Sequence, residues 1–297
     1  MNSFNIVLKK LPLELQETLM VMPANILENL EEVRLRQGSP ISIIARNKEY
    51  VLDTQNKLSI DSKYLGNVLN SLVDYSYYAY EEELAKGYIT VEGGHRVGIC
   101  GKAVLDNGNV KLIKDISSLN LRRSKELIGI SKKCLDKIID PQSGFLYNTL
   151  IVSPPKCGKT TLLRDIVRHL STNGLRVGLC DERSEIAGMH QGNATFDVGP
   201  RTDILDGCPK SIGIPMLIRS MAPDIIATDE IGKQEDIGAI ETALCAGTKL
   251  LTTIHGNSFE DILNSNIAKV IKQGAFKRII YLTNVPCTGT IKGVQHV

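Results

Sequence analysis

A glycine-lysine-threonine run near the middle of the chain has the residue types of a phosphate-binding loop. Consecutive backbone N–H groups surround a phosphate in such a loop, and a glycine allows the backbone to approach it closely. The lysine neutralises the terminal phosphates, and the hydroxyl after it ligates Mg²⁺. We expect phosphate contacts from Lys159 and a metal contact from Thr160. The predicted binding loop comprises Ser153, Pro154, Pro155, Lys156, Cys157, Gly158, Lys159, Thr160 and Thr161.

The loop departs from the usual pattern at its first position, where Ser153 replaces a glycine. The flanking sequence still fits, because residues 149–152 are apolar and residues 160–170 carry apolar side chains at helical spacing. A strand entering the loop and a helix leaving it are the expected context. The serine affects the expected affinity of the loop for nucleotide, whereas Gly158, Lys159 and Thr160 are retained.

Two acids, Asp229 and Glu230, follow an apolar run at 225–228. Open parallel sheets place ligands at the carboxyl ends of their strands, which is where these acids are predicted to lie. We expect Asp229 to hold Mg²⁺, through water, and Glu230 to orient and activate the attacking water. Together with the loop, these acids predict ATP and Mg²⁺ as the bound species.

Two further strand ends carry polar groups. His255 follows a predicted strand at 249–254 and is a candidate for sensing the γ-phosphate, although a lone histidine is often structural. The segment 181–185 holds four charged residues after another predicted strand. It could supply a second acid, Glu182, and a charge for the γ-phosphate. The alternative is a solvated loop.

The predicted elements divide the chain near its middle. Strands alternate with helices after residue 143, which predicts a mostly parallel sheet with helices on both faces. The first half reads as mixed helices and hairpins, with a helix over 125–139 and a break at Pro141–Gly144. We predict an α/β protein with a smaller α+β N-terminal domain at 1–142 and a P-loop domain at 143–297.

Composition excludes several classes of protein. The 297 residues include 35 basic and 33 acidic side chains, no tryptophan and 5% aromatic residues, which does not favour nucleic-acid binding. The seven cysteines form no C-x-x-C pair, so scattered free thiols in a reducing compartment are expected. No signal peptide and no membrane-spanning run is evident. We expect a cytoplasmic protein.

The four polar segments resemble, in their order, the RecA-like core of the secretion ATPase superfamily, which includes the motors of type II and type IV secretion and of type IV pili. That resemblance implies ATP hydrolysis at the subunit interfaces of a homo-oligomeric ring, and we expect a hexamer. Those motors usually carry glycine before the catalytic glutamate, whereas this chain has Asp229. The segments are 153–161, 181–185, 224–230 and 252–258.

A narrower resemblance, to the stage III sporulation AA family, covers nearly the whole chain. It rests on four segments at 87–98, 113–122, 181–188 and 198–210. It implies a mother-cell ATPase, peripheral at the mother-cell side of the forespore membrane. The implied partners are integral membrane proteins of a channel complex between mother cell and forespore.

A phosphoryl-transfer site of this kind gains roughly 10³–10⁵ in rate from an arginine supplied in cis or in trans. The candidates in the second half are Arg201 and Arg219, and those in the first half are Arg96, Arg122 and Arg123. Each could instead form an ordinary surface ion pair. Two other functions stay open, a nucleotide-gated scaffold with little hydrolysis and a nucleic-acid translocase.

Overall fold

The computed structural model describes residues 3–46, 48–52, 58–124, 126–190 and 192–297. The chain divides into two compact units. The first comprises Met1–Lys125 and Gly188–Thr195, and the second comprises Glu126–Ala187 and Phe196–Val297.

The sequence-based boundary at 142/143 falls inside the second unit. Asp165 explains why the preceding residues belong there, because its carboxylate accepts backbone hydrogen bonds from Gly129 (2.9 Å) and Ser131 (2.7 Å). Asp165 is itself buried. Residues 126–142 are therefore fastened to the helix that follows the phosphate loop.

The first unit is built on a six-stranded antiparallel sheet with the order β3-β2-β1-β6-β5-β4. Hairpins turn at Gly38 and at Gly93-Gly94, which agrees with the mixed helices and hairpins expected for the first half. A short pair of strands, β9 and β10, also belongs to this unit. Its strands are β1 (Leu30–Arg36), β2 (Ile41–Ala45), β3 (Lys48–Leu52), β4 (Tyr88–Val91), β5 (His95–Asp106), β6 (Asn109–Arg122), β9 (Met189–His190) and β10 (Asn193–Ala194).

Helices of the first unit cover one hydrophobic core with the sheet. The apolar residues of α4 recur at helical spacing on one face, and Leu65, Val68, Leu69 and Leu72 are all buried. The Asp61 carboxylate caps this helix by accepting the N–H of Tyr64. The helices are α1 (Ser3–Lys9), α2 (Leu13–Met20), α3 (Ala24–Leu27), α4 (Ser62–Leu72) and α5 (Glu81–Ala85).

The helix predicted over 125–139 is wrong. The described part of this segment holds a 3₁₀ turn at Ile130–Lys133 and one short helix, α6 (Leu135–Ile138), while Lys125 lies outside the described residues. Gly129 has φ +86°, and its N–H bonds to the Asp165 side chain instead of entering a helix. This contact between distant residues thus replaces the helix that the spacing of the apolar residues predicts.

The second unit contains a seven-stranded sheet with the order β11-β8-β12-β13-β7-β14-β15. All neighbouring strands are parallel except β14 and β15. Its strands are β7 (Thr149–Ser153), β8 (Val177–Asp181), β11 (Thr202–Asp206), β12 (Ile225–Thr228), β13 (Lys249–His255), β14 (Arg278–Thr283) and β15 (Thr290–His296).

Helices cover both faces of this sheet. Apolar residues of α8 to α11 pack with Leu150, Val152 and Ile226 of the sheet. The alternating residues point to the other face, where α7 contacts β7, β8 and β13. The predicted α/β class is confirmed. The helices are α7 (Lys159–Thr172), α8 (Lys210–Met221), α9 (Gln234–Cys245), α10 (Phe259–Leu263) and α11 (Ala268–Lys272).

Strand order places four carboxyl ends side by side. β8, β12, β13 and β7 are consecutive in the sheet, and they are parallel. In the register Cys180 pairs with Thr228, and Thr228 pairs with Thr252. His255 pairs with Ser153 at the end of β7. The polar residues that follow these strands must therefore meet at one edge of the sheet.

Candidate active site

The phosphate loop joins β7 to α7, and its backbone conformation depends on Gly158. This residue has φ +85°, and a Cβ atom there would lie 3.3 Å from the Cα of Gly289. Lys156 adopts φ +60°, also in the left-handed region. A turn between β14 and β15 thus packs against the loop and leaves no comfortable room for a side chain at position 158.

Lys159 is buried inside its own loop. Its Nζ donates to the carbonyl oxygens of Ser153 and Pro154, both at 3.1 Å, and lies 3.0 Å from His255 Nδ1. Burial lowers the pKa of Lys159. The Ser153 hydroxyl, at the position where the loop pattern has glycine, lies 3.3 Å from the same ammonium. The serine therefore contacts the lysine that is predicted to bind phosphate.

His255 links Lys159 to Glu230. Because an ammonium can only donate, His255 Nδ1 accepts, and its ring proton belongs on Nε2. Nε2 lies 3.1 Å from Glu230 Oε1. The tautomer that this network favours therefore donates to the carboxylate predicted to activate water.

Glu230 is held from three sides. Its backbone N–H donates to Thr253 Oγ1 at 2.9 Å, and its second carboxylate oxygen, Oε2, accepts from Arg183 Nη1 at 2.6 Å. The residue has φ +29°. A glutamate in a sparsely populated backbone region persists only where surrounding contacts impose it, and such residues cluster at functional sites.

Asp229 is 3% exposed, and its Oδ1 atom has no hydrogen-bond partner among the described residues. Burial raises its pKa to about 6, while Lys210 opposes the rise. Lys210 Nζ lies 3.8 Å from Oδ1. A buried carboxylate oxygen without a hydrogen bond, at the edge of a cavity that Thr160 also lines, fits the hard oxygen donors that Mg²⁺ prefers.

Asp181 holds the backbone of the turn that follows β8. It accepts the N–H groups of Glu185, Ile186 and Ala187 at 3.0, 3.0 and 2.9 Å. Burial raises its pKa to about 7 in spite of these hydrogen bonds. Arg164 of α7 supports the same segment by donating to the carbonyl oxygens of Ile186 (2.5 Å) and Glu185 (2.6 Å).

These groups surround one cavity of about 300 Å³. Lys159, Thr160, Asp229, Glu230 and His255, all predicted from sequence, lie together at its wall. Two residues that the sequence analysis does not single out, Arg183 and Glu185, complete the polar lining. The described lining consists of Pro155, Lys156, Cys157, Gly158, Lys159, Thr160, Thr161, Arg183, Glu185, Asp229, Glu230, Thr253 and His255.

Glu182 lies beside this group without lining the cavity. It pairs with the buried Lys210 ammonium, and Lys233 Nζ lies 3.4 Å from its other oxygen. Sequence reasoning missed Lys210 as a site residue. The available signal was a lysine directly after Pro209, where α8 begins, and this pattern is too common to indicate a buried ion pair.

The described lining of the cavity does not include Arg201 or Arg219 of the same chain. Arg201 precedes β11, and its N–H donates to Ser171 Oγ at 2.7 Å. Arg219 lies in the last turn of α8 and donates to the Pro215 carbonyl oxygen at 3.2 Å. Since the site lies at the carboxyl ends of the strands, the beginning of a strand is at the opposite edge. A role in trans for either residue stays a prediction.

The arginine candidates of the first unit have contacts within that unit. Arg96 stacks over the Tyr88 ring at 3.6 Å, and Arg122 lies 3.4 Å from Glu32. Arg123 donates to the Glu28 carbonyl oxygen at 2.7 Å. Their predicted action on a neighbouring subunit is likewise untested.

Two solved structures with a similar fold indicate the class of protein to which this chain belongs. The ATPase DotB of Legionella pneumophila matches with a TM-score of 0.56 at 16% identity, over 85% of this chain and 72% of that one. The pilus retraction motor PilT, solved with bound ADP, matches with a TM-score of 0.55 at 16% identity, over 86% and 75%. The chain has the RecA-like fold of secretion ATPases.

Sequence comparison then gives the particular family. The family described as "Sporulation stage III, protein AA" matches residues 5–297. The Stage III sporulation protein AA of Bacillus subtilis (strain 168) is 38% identical over 296 residues, which cover 98% of this chain and 94% of that protein. The chain belongs to the stage III sporulation AA family.

Within the part of the chain that the structure describes, no helix has the length and apolar character needed to cross a bilayer.

Proposed function

We propose that this chain is an Mg²⁺-dependent ATPase that acts as a motor of the secretion ATPase type. The observation that supports this most directly is the continuous line of contacts Lys159–His255–Glu230–Arg183. The line crosses the carboxyl ends of four adjacent strands at the wall of the cavity. Lys159 binds phosphate oxygens at one end, and Glu230 faces the position of an attacking water nearer the other end.

The hydrolysis follows from these positions. The water oxygen forms a bond to the γ-phosphorus, and the bond from the γ-phosphorus to the bridging oxygen breaks, leaving its electron pair on ADP. The water proton passes to Glu230, which later releases it to solvent. Thr160 and Asp229 are the residues that would hold Mg²⁺, which would supply positive charge to the phosphates.

The family and the fold support a role in assembling or energising a sporulation channel complex. We propose a homo-oligomeric ring, a hexamer, that uses integral membrane proteins of this complex as partners. The chain would then lie peripherally at the mother-cell side of the forespore membrane. An arginine from a neighbouring subunit, with Arg201 and Arg219 as candidates, would complete each site in the ring.

Phosphate release from the purified chain with Mg-ATP, measured across protein concentration, tests the proposal. We expect turnover per subunit to rise with concentration as the ring assembles, and to disappear in Glu230→Gln. A fluorescent ATP analogue should still bind to this variant, because Lys159 and the loop are untouched.

Two results would contradict the motor. Turnover that Glu230→Gln leaves intact would assign the observed activity to a contaminant or to another base. Tight ATP binding without turnover at any concentration, also when the partner's cytoplasmic segment is added, would favour a nucleotide-gated scaffold instead.

A further inference from the structure

Among the described residues, Arg183 is the arginine that lines the cavity. It belongs to the turn after β8, whose neighbour in the sheet is β12, and it reaches across to Glu230 Oε2 at 2.6 Å. Its side chain is 47% exposed and lines the same cavity as Lys159. The other arginine candidates of the second unit, Arg201 and Arg219, make their contacts elsewhere.

The backbone around Arg183 is held on both sides. Asp181 accepts three backbone hydrogen bonds from residues 185–187, and the Ser184 hydroxyl donates to Asp206 at 2.7 Å. Arg164 holds two carbonyl oxygens of the same turn. The base of the Arg183 side chain is therefore fixed, while the side chain itself is partly exposed at the wall of the cavity.

The contact between Arg183 and Glu230 is of a kind that can be exchanged. It uses one guanidinium nitrogen, Nη1, and both side chains are partly exposed. Exposed ion pairs contribute little net stability. A guanidinium binds two oxygens of a phosphate in parallel, with more hydrogen bonds and more charge than one carboxylate oxygen offers.

We propose that Arg183 stabilises the γ-phosphoryl group in cis and that Glu230 holds it in place until a nucleotide enters. This inference rests on the proposed ATPase function. When ATP enters, the guanidinium moves from Glu230 Oε2 to γ-phosphate oxygens, and it remains there as charge develops in the transition state. The same exchange frees one oxygen of Glu230 to accept a proton from the attacking water. The movement of Arg183 toward ATP therefore also makes Glu230 available as the base.

The position of Arg183 distinguishes this role from that of an arginine supplied by a neighbour. Because it lies in the same chain as Lys159, its effect on nucleotide preference should not depend on protein concentration. Because it contacts only the terminal phosphate, ADP binding should not depend on it either. These two properties separate it from a residue that merely supports the fold.

The test compares Arg183→Gln and Arg183→Lys with Arg176→Gln, a matched control. Arg176 forms an exposed ion pair between the same two strands at their opposite ends, with Asp224. For each variant, phosphate release and the dissociation constants of ATP and ADP are measured at several protein concentrations.

For Arg183→Gln we expect a fall in kcat of about 10³-fold, the lower range for an arginine at a phosphoryl-transfer site. ATP affinity should fall while ADP affinity stays unchanged, at every protein concentration. Arg183→Lys should recover part of the preference for ATP and little of the rate, since a lysine cannot bind two oxygens in parallel. Arg176→Gln should match the wild-type chain in every measurement.

Three results would overturn the proposal. Wild-type turnover in Arg183→Gln would do so directly. Equal losses of ATP and ADP affinity would point to a damaged fold, and a loss seen only where the ring assembles would point to a role in trans. The ATPase function fails separately, if the wild-type chain releases no phosphate. In that case the ratio of ATP to ADP affinity still decides the role of Arg183, and a wild-type chain that binds neither nucleotide contradicts both proposals.

Discussion

Strands β8 and β12 carry an arginine-carboxylate pair at each of their two ends, and the pairs differ in kind. Where the strands begin, Arg176 contacts both carboxylate oxygens of Asp224, at 2.8 Å through Nη2 and 3.2 Å through Nε. Its backbone N–H adds a third hydrogen bond to Asp224 at 2.8 Å. The hydrogen bond from Arg176 is the largest cause of a lowered pKa at Asp224.

Where the strands finish, the charges are less well matched. Arg183 contacts Glu230 through one nitrogen, and Asp229 Oδ1 has no hydrogen bond among the described residues. Burial raises the pKa of Asp181 to about 7 and that of Asp229 to about 6. The same residue types therefore hold strands together at one end and remain available to a ligand at the other. Charged groups occur at both ends of the strands, and the candidate site differs from the other end because its charged groups are incompletely paired.

The largest effect should come from Lys159→Met, which removes the ammonium at one end of the line of contacts. We expect hydrolysis to fall by about 10³-fold or more, because electrostatic stabilisation of the transferring phosphoryl group dominates such sites. Lys272→Met, at an exposed position of α11, is the control. Phosphate release and the binding of a fluorescent ATP analogue measure the outcome. Substantial ATP hydrolysis by Lys159→Met would show that the loop does not bind phosphate as proposed.

Lys210→Met should give the next largest effect, on folding stability. The substitution leaves Asp229 and Glu182 without the buried cation that lies between them. Removing one partner of a buried ion pair costs about 3–5 kcal/mol. Denaturant unfolding measures the loss, and Lys233→Met, whose exposed ammonium contacts Glu182 alone among the described residues, should cost much less. Equal losses of unfolding free energy in the two variants would mean that the burial of Lys210 does not increase the cost of removing its charge.

The pH dependence of stability should be a smaller effect with a definite sign. Asp181 and Asp229 have pKa values of about 7 and about 6 in the folded chain, above the ordinary value of 3.8. Their folded forms therefore retain protons that the unfolded chain releases, and stability falls as pH rises through this range. Each group contributes a slope of at most about 1.4 kcal/mol per pH unit. Thermal unfolding without nucleotide, from pH 5 to 8, measures it. His169 and His190 have lowered pKa values and contribute in the opposite direction, so the slope is compared with that of Asp181→Asn. An unchanged pH dependence in that variant would contradict the assignment.

The contrast between the two ends also explains what the sequence reveals. The loop, Asp229, Glu230 and His255 could be predicted because each lies at the carboxyl end of a strand, and parallel strands bring such positions together. The pairings of Arg183 and Lys210 could not, because they depend on which strands are neighbours and on how far a side chain reaches. The wrong helix at 125–139 has the same origin, since Asp165 takes the N–H groups of Gly129 and Ser131. Local patterns predict elements, whereas contacts between distant residues decide the details.

The smallest effect is expected from Asp224→Asn, at the end of β12 away from the site. The pKa of Asp224 is lowered in the folded chain, so its pair with Arg176 stabilises above the ordinary pKa of an aspartate and is lost as pH falls through the folded value. Asp224→Asn should therefore unfold at a slightly lower temperature than the wild-type chain at pH 7, and the two curves should converge in strong acid. Because the pair lies at the opposite end of the strands, phosphate release should not change. A variant that loses turnover while it stays folded would mean that the two ends of β8 and β12 are coupled, and the distinction between scaffold and site would then be wrong.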